Sequence, residues 1–314
     1  MSKAVKVILI VAASCMACGI VMAGIGLAWG GFTRSYSIFW QDGLRVVTPA
    51  SYRMQDFSQA FERSERLTIR ADACTLQFVQ DSKYSVSGHY DPTFWDLDID
   101  QTSEGIQVKL TPKSNYLGNV NFGIIGAHDN ATANLVIGYP DKAPPDSIDI
   151  TTNAASLDLT SIVGNSVSLS SNAASVHVGQ LDCQHLSLSM NAGSMDFNNL
   201  NASKSASIDL NAGSFEAKNS ALSNLDFDMK AGSSRIQGIL LGDNYVHVSA
   251  GSADFDLAQP KSNLNITGTA NAGSLTINGL RPRESDNNAN QGPNAGLTNV
   301  TATVNMGSVD IMTR

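Results

Sequence analysis

One short phrase recurs through the second half of the chain and constrains its fold more than any other feature. It reads Asn-Ala-Ala-Ser or Asn-Ala-Gly-Ser, with Lys, Ser or Met replacing a single residue in some copies. The serines that end the phrase lie 19, 19, 20, 19, 19, 22 and 34 residues apart and are Ser156, Ser175, Ser194, Ser214, Ser233, Ser252, Ser274 and Ser308. A fixed period of this length is typical of a solenoid, in which each repeat covers the apolar face of its neighbour.

Within each period, apolar and polar residues alternate, as in Leu186-Ser-Leu188-Ser-Met190. This alternation indicates a half-buried strand and excludes an amphipathic helix. When the repeats are aligned, apolar residues form columns, for example Leu157, Val176, Met195, Phe215, Leu275 and Val309 directly after the serines. Columns of this kind require parallel, in-register stacking, with about 4.8 Å between rungs. The sequence therefore predicts an all-β fold, a parallel β-solenoid with rungs of about 19 residues.

The turn phrase itself has a structural explanation. Its small residues let the backbone turn tightly, and Gly and Asn tolerate positive φ. The first position of the phrase is predicted to form a structural ladder of stacked amides, made by Asn153, Asn172, Asn191, Asn211, Asn271 and Asn305. Such a ladder accounts for the Asn and Ser columns without a ligand.

The N-terminus carries a long apolar segment. Residues 7–29 contain no charged side chain, and a helix of this length spans about 35 Å, enough to cross a hydrocarbon core of about 30 Å. Lys3 and Lys6 precede it, so the positive-inside rule predicts a cytoplasmic N-terminus and an extracytoplasmic remainder. Residues 1–30 are thus predicted to be a cytoplasmic tip and a single transmembrane helix that anchors the protein in the cell membrane. A cleaved signal peptide, or a lipid attached at Cys15 or Cys18, remains an alternative.

The rest of the chain divides by pattern. Residues 31–66 are predicted to form a stalk or entry cap, with a short helix over 56–66. Residues 67–314 are predicted to form the solenoid, with divergent first rungs over 67–147, a loop over 113–132, and the regular repeats over 148–314. Residues 67–78 match 148–159 in pattern and are read as an atypical first rung. The composition of residues 281–298 predicts an inserted loop, because almost no apolar side chain is present.

The sequence also resembles a known family. The segments Leu67-Thr-Ile-Arg-Ala-Asp-Ala-Cys-Thr-Leu-Gln-Phe, Leu135-Val-Ile-Gly-Tyr-Pro140 and Ser147-Ile-Asp-Ile150, followed by the Asn-Ala-Gly-Ser repeats, are similar to the bacterial putative-adhesin family of β-strand-repeat domains of unknown function. The resemblance covers about residues 67–314. It implies a right-handed coil and an envelope-exposed, single-pass protein, and it supplies no catalytic residue.

Motifs for chemistry are missing from the sequence. It has no Gly-x-Ser-x-Gly elbow, His-Glu-x-x-His motif, Walker loop or dinucleotide-binding glycine pattern, so we predict that the protein is not an enzyme and uses no cofactor. Two residues after the serines, carboxylates share a column with His177, Arg235 and Thr276. This column is interpreted as a solvated outer face, and a divalent cation bound between its rungs is the alternative. Its carboxylates are Asp158, Asp196, Glu216, Asp254 and Asp310.

The net charge of the residues after Trp29 restricts the classes of partner that the protein can bind. All 28 acidic residues but only 18 of the 20 Lys and Arg follow Trp29, which gives the external part a net charge of −10. Such a surface disfavours nucleic acid and anionic lipid as partners. The leading interpretation is a non-enzymatic adhesion or interaction scaffold of the bacterial cell envelope, whose partner is an envelope protein or a surface ligand. The alternatives are an envelope sensory or regulatory accessory protein and, third, an enzyme acting on polysaccharides.

Overall fold

The structure, a computed structural model, describes residues 35–40, 44–47, 53–72, 74–113, 116–121, 133–140, 143–153, 155–281 and 297–314. These residues form strands and one 3₁₀ helix, Lys261–Asn263, and contain no α-helix, which confirms the all-β prediction. Among them, no helix has the length and apolar character needed to cross a membrane. The predicted anchor lies outside the described residues.

The strands are numbered in chain order. Those before the regular repeats are β1 Ser35–Trp40, β2 Leu44–Val47, β3 Gln55–Phe61, β4 Arg66–Ala71, β5 Thr75–Gln80, β6 Tyr84–Tyr90, β7 Trp95–Thr102, β8 Gly105–Pro112, β9 Tyr116–Asn121 and β10 Asn134–Tyr139. Those of the repeats are β11 Ser147–Thr152, β12 Ser156–Val163, β13 Ser166–Phe197, β14 Leu200–Leu210, β15 Ser214–Ser223, β16 Leu225–Met229, β17 Ser233–Leu241, β18 Asp243–Leu257, β19 Leu264–Ala270, β20 Ser274–Ile277 and β21 Thr298–Thr313.

The chain divides into two compact units, and the smaller one comprises residues 1–54 and 112–132. In it, β1 pairs antiparallel with both β2 and β9 to form a three-stranded sheet. The loop predicted over 113–132 is therefore wrong for Tyr116–Asn121. This strand is stabilised by pairing with a segment about 80 residues earlier in the chain, and such pairing leaves little local sequence signal.

The larger unit, residues 55–111 and 133–314, is a stack of parallel strands. Each rung has one extended segment before the turn phrase and one after it, and β13 runs through two of the phrases without a break. Before the turn, β4, β11 and β13 pair in register, with Leu67 opposite Ile148 and Ile148 opposite Val167. After the turn, β5, β12 and β13 do the same, with Leu76 opposite Leu157. Residues 67–78 thus stack on 148–159 in the correspondence that their sequence patterns indicate.

The first rung of this unit is bordered by parallel strands, β8 beside β4 and β10 beside β5, and antiparallel pairing begins beyond β10. β3 pairs antiparallel with β6, β6 pairs antiparallel with β10, and β10 runs parallel to β5. The short helix predicted over 56–66 is wrong, since β3 is a strand along Gln55–Phe61. Its backbone bonds to β6, and Phe57 packs edge-on against Tyr90 with ring centroids 5.8 Å apart. Strand pairing and this ring contact outweigh a weak helical spacing of apolar residues.

The apolar columns form the core of the stack. In the column after the serines, exposure runs from 0 to 3% at Leu157, Val176, Met195, Phe215, Leu275 and Val309. Aromatic rings from neighbouring rungs touch inside it: the centroids of Phe197 and Phe215 are 5.7 Å apart and those of Phe227 and Phe255 are 5.9 Å apart. Burial of these side chains at about 25 cal/mol per Å² is the main source of stability.

The last rungs do not stack in chain order. β21 pairs with β18 on one side and with β19 and β20 on the other. The final rung in sequence therefore lies between the two rungs that precede it. The insertion predicted over 281–298 precedes this strand, and β21 begins at Thr298.

Candidate functional site

A polar trough runs across five successive rungs on the strands that follow the turn. Its volume is about 550 Å³. Two outward-facing columns line it, and the core residues Val176, Met195, Phe215 and Ser234 lie between them in sequence. The first column is Ser175, Ser194, Ser214, Ser233 and Ser252, and the second is His177, Asp196, Glu216, Arg235 and Asp254. Because a serine side chain is short and its neighbour two residues on is long, the two columns leave a recess along the serines.

The serine column places hydroxyl groups at the rung spacing. Ser175 Oγ and Ser194 Oγ lie 3.4 Å apart, within hydrogen-bonding distance. Parallel pairing sets Ser214 opposite Ser194 and Ser233 opposite Ser214. A hydroxyl can donate one hydrogen bond and accept two, so this row offers both donors and acceptors along its length.

Two basic side chains lie close to the carboxylates of the second column and offset their negative charge. Lys218 Nζ lies 3.4 Å from Glu216 Oε1 and 3.9 Å from Asp196 Oδ1. Arg235 Nη2 lies 3.4 Å from Asp254 Oδ2. Lys218 belongs to no repeated column of the sequence, and the only signal for it is its outward position two residues after Glu216. The side of the trough therefore carries charges of both signs rather than an unbroken acidic row.

The five carboxylates of the predicted cation column are brought together only in part. Asp196 lies opposite Glu216, and Asp254 lies opposite Asp310, but His177 follows Asp158 and Arg235 separates the two pairs. Thr276 Oγ1 donates a hydrogen bond to Asp310. Within the described part of the chain, no group of three or more His, Cys, Asp or Glu side chains could hold a metal ion. The solvated outer face stays the interpretation of this column, and a bound cation stays the alternative.

The structure places the predicted Asn ladder in two runs. In the first, Asn172 Nδ2 donates to Asn153 Oδ1 and Asn191 Nδ2 to Asn172 Oδ1, each at 2.5 Å, and Asn211 Nδ2 donates to Asn191 Oδ1. Lys230 Nζ extends this run by donating to Asn211 Oδ1 at 2.7 Å. In the second run, Asn271 Nδ2 donates to Asn305 Oδ1 at 2.9 Å. The amides bond to one another along the edge of the stack.

A family model described as Toastrack DUF4097 matches residues 64–312. The chain belongs to the Toastrack DUF4097 family. The resemblance to β-strand-repeat domains of unknown function is thereby confirmed. No curated protein matches this Toastrack chain.

Solved structures similar to this Toastrack chain share little sequence with it. A putative cell adhesion protein from Clostridium sporogenes ATCC 15579 is 13% identical, with 83% of this chain and 100% of that chain covered and a TM-score of 0.27. A putative adhesin from Bacteroides fragilis NCTC 9343 is 8% identical, with 83% and 97% covered and a TM-score of 0.35. A putative lipid binding protein from Parabacteroides distasonis ATCC 8503 is 10% identical, with 82% and 96% covered and a TM-score of 0.30.

The two described cysteines of the Toastrack domain lie in its interior. Cys74 is 2% exposed and Cys183 is 7% exposed. Burial raises the pKa of the Cys74 thiol to about 12, with a contribution from Asp72. Burial and Asp182 likewise raise the pKa of the Cys183 thiol to about 12. Because the thiolate is the reactive form, both residues act as small apolar side chains and not as nucleophiles.

Proposed function

We propose that this Toastrack protein is a non-enzymatic adhesion or interaction scaffold of the bacterial cell envelope, with the trough as its contact surface. One observation carries the proposal: a serine hydroxyl repeats in register on five rungs, beside a column that contains both acidic and basic side chains. Because rungs repeat at about 4.8 Å, the trough extends about 19 Å along the stack. A straight polar recess of this length suits an extended polymer that lies parallel to the axis.

The groups that line the trough restrict the chemical class of its ligand. Hydroxyl and carboxylate oxygens accept hydrogen bonds, and the hydroxyls, Lys218 and Arg235 donate them. The charged groups include both signs, and the whole external part is acidic. These properties favour a ligand rich in hydroxyl or amide groups, carried by another cell surface or by an envelope protein, and disfavour nucleic acid.

The proposal includes the position of the protein in the cell. Residues 7–29 cross the cell membrane as a single helix, and the solenoid winds as a right-handed coil on the extracytoplasmic side. The support is the uncharged length of this segment and the location of Lys3 and Lys6 before it. The anchor holds the scaffold at the cell surface, where its trough is available to ligands.

The experiment blocks the trough with one bulky side chain in the full-length protein. Ser214 is exposed within the trough, and Ser187 is an exposed serine on a strand before the turn, outside it. Cells that display the wild type or Ser187→Trp are expected to bind carbohydrate-coated or protein-coated surfaces, and cells with Ser214→Trp are expected to lose binding. Equal binding by both variants, at equal surface expression, would reject the trough as the contact surface.

Further experiments with the same cells distinguish the scaffold from the two alternative functions. Co-purification of one specific membrane protein, without surface binding, would favour a sensory or regulatory accessory. Release of new reducing ends from a panel of polysaccharides would establish an enzyme. The scaffold proposal expects surface binding with no turnover.

A further inference from the structure

The last rung of the stack is formed by β19 and β20 and is covered on one side only. On the covered side, β21 pairs in parallel with both strands. Beyond β20 the chain turns back, and Ile277 and Leu280 exchange two backbone hydrogen bonds of 2.8 and 3.0 Å. β19 has no such cover: in the described part of the chain, it is paired residue by residue with β21 alone. We call the uncovered side of β19, residues 264–270, the β19 edge.

The β19 edge leaves apolar positions open that are buried one rung earlier. In β21, Val300 is 1% exposed and Val304 is 0% exposed. Ile266 and Ala270 lie opposite them in β19, where Ile266 is only half-buried and Ala270 is exposed. A further strand on this edge would cover these side chains and would pair with the backbone groups that an open edge presents.

The two ends of the stack are protected differently. Native sheets protect their edges with charged side chains or with covering segments, because an open edge pairs with other strands. At the first rung, β8 and β10 lie beside β4 and β5, and β7 carries the exposed carboxylates Asp96, Asp98 and Asp100. Around the β19 edge, residues 262–280 contain no Asp, Glu, Lys or Arg. The β19 edge therefore has the composition of a contact rather than that of a solvated end.

Two properties of the chain indicate what covers the β19 edge. In the segment that follows the last rung, residues 281–296, the only apolar side chains are alanine and proline, and Pro282 and Pro293 cannot donate to a strand ladder. This composition is unsuited to the place. The external part of the chain carries a net charge of −10, so like charges disfavour contact between two copies over most of their surface. At the β19 edge, two copies meet without facing charges.

We propose that the β19 edges of two copies pair with each other, so that the two stacks join end to end. The copies are related by a two-fold axis, which makes the two β19 strands antiparallel, and antiparallel edges can exchange backbone hydrogen bonds. Because the first rung of each copy is bordered by further strands, the contact closes on a pair and does not extend into a filament. The pair carries two troughs, and a surface that displays many ligands would engage both.

Particle mass and hydrogen exchange of the full-length protein in detergent micelles test the pairing. As the protein concentration is raised, the protein mass per particle is expected to double. Exchange in residues 264–270 is expected to slow, while residues 298–313, which are paired on both sides, keep their protection. A particle that holds one copy at the highest soluble concentration overturns the proposal. Protection of residues 264–270 that is the same at every concentration also overturns it, because the chain would then cover the edge itself.

Two matched variants locate the contact. Thr267 of β19 and Thr301 of β21 lie opposite each other, with their hydroxyl oxygens 3.5 Å apart, so a substitution at either position removes the same contact. Thr267→Asp places like charges on both paired edges and is expected to halve the particle mass. Thr301→Asp, one rung inside the stack, is expected to leave the doubled mass unchanged. Equal effects of the two variants, or no effect of Thr267→Asp, would overturn the proposal.

The trough variant separates this inference from the proposed function. Ser214→Trp is expected to pair as the wild type does, because Ser214 lies in the trough and outside the β19 edge. Loss of pairing in Ser214→Trp would reject the β19 edge as the contact. Pairing by every protein except Thr267→Asp, without any binding to coated surfaces, would support the inference and reject the trough as a contact surface.

Discussion

The middle rungs and the last two rungs are built from the same phrase, yet they stack by different rules. From β13 to β18, each rung pairs with the next rung along the chain. Beyond β18 the order reverses, because β21 enters between β18 and β19. The comparison shows that the phrase determines which residues face inward and which register a rung adopts. It does not determine which rung becomes the neighbour.

The spacing of the serines also differs between the middle rungs and the last two rungs. In the middle rungs the spacing is 19 or 20 residues, and from Ser252 to Ser274 it is 22. The additional residues belong to the connection, which includes the 3₁₀ helix Lys261–Asn263 and passes over the place that β21 occupies. The spacing of 34 from Ser274 to Ser308 then contains the segment that returns to this place. A longer connection thus accompanies each departure from chain order.

The largest effect is expected at the centre of the middle rungs. Phe197 is fully buried and touches Phe215, whereas the neighbouring Asp196 is 40% exposed. Phe197→Asp buries an unpaired charge and is expected to lower the free energy of unfolding by several kcal/mol, and Asp196→Ala by less than about 0.5 kcal/mol. Thermal melts of the two variants measure this difference. Equal losses would show that the inward and outward positions are wrongly assigned.

A matched change in β21 sharpens the comparison between the two regions. Ile311 is 1% exposed and stands in the same column as Phe197 and Phe255. Ile311→Asp is expected to release β21 and, with it, β19 and β20, which pair with β21. Hydrogen exchange should then accelerate in residues 264–277 and 298–313 while residues 166–241 keep their protection. Uniform loss of protection would mean that the end rungs and the middle rungs unfold as one unit.

The sequence predicted the repeating part of this fold because stacking makes local and long-range patterns coincide. Leu157, Val176 and Met195 are apolar for the same reason in each rung, so alignment of the repeats was enough to find the core. β9 and the position of β21 depend on pairing between distant segments that share no phrase, and neither could be derived from periodicity. The pattern predicts the charged column but not the trough, because the turn phrase is a sufficient explanation for the serines, although both columns face outward on one strand.

Glycine in the turn phrase provides the next test. Gly232 has φ +119°, and a Cβ there would lie 2.1 Å from the carbonyl oxygen of Gly213 in the neighbouring rung. Gly279, near the end of the stack, also has positive φ, +75°, but nothing lies within 4 Å of the Cβ position. Alanine at Gly279 adds only backbone strain, about 1 kcal/mol. Alanine at Gly232 adds a backbone clash and is expected to destabilise more, by about 2–3 kcal/mol. Equal melting temperatures would argue that the rungs are not in contact at this turn.

The two runs of the Asn ladder should differ in strength. Asn211 bonds to Asn191 and accepts from Lys230, while Asn271 bonds to Asn305. Because these bonds are exposed to water, Asn211→Ala is expected to cost about 1 kcal/mol and Asn271→Ala about 0.5 kcal/mol. Chemical denaturation of both variants measures the order. A larger loss at Asn271 would indicate that the end rungs depend on the ladder more than the middle rungs do.

The smallest effect concerns a carboxylate pair on the outer face of the middle rungs. Asp209 of β14 lies opposite Asp228 of β16. Partial burial, then the charges of Asp228 and Asp226, raise the pKa of Asp209 above its ordinary value, and Lys230 acts against them. A carboxyl group with a raised pKa binds its proton more tightly in the folded chain, so its contribution to stability grows as the pH falls through that raised pKa and is lost as the pH rises.

Asp209→Asn should therefore raise the melting temperature slightly at neutral pH, and the gain should vanish below pH 3.8, the usual pKa of the group. In an Asp228→Asn background the gain should be smaller, because a like charge has been removed. A gain that persists at low pH would instead assign the effect to packing or hydrogen bonding of the amide.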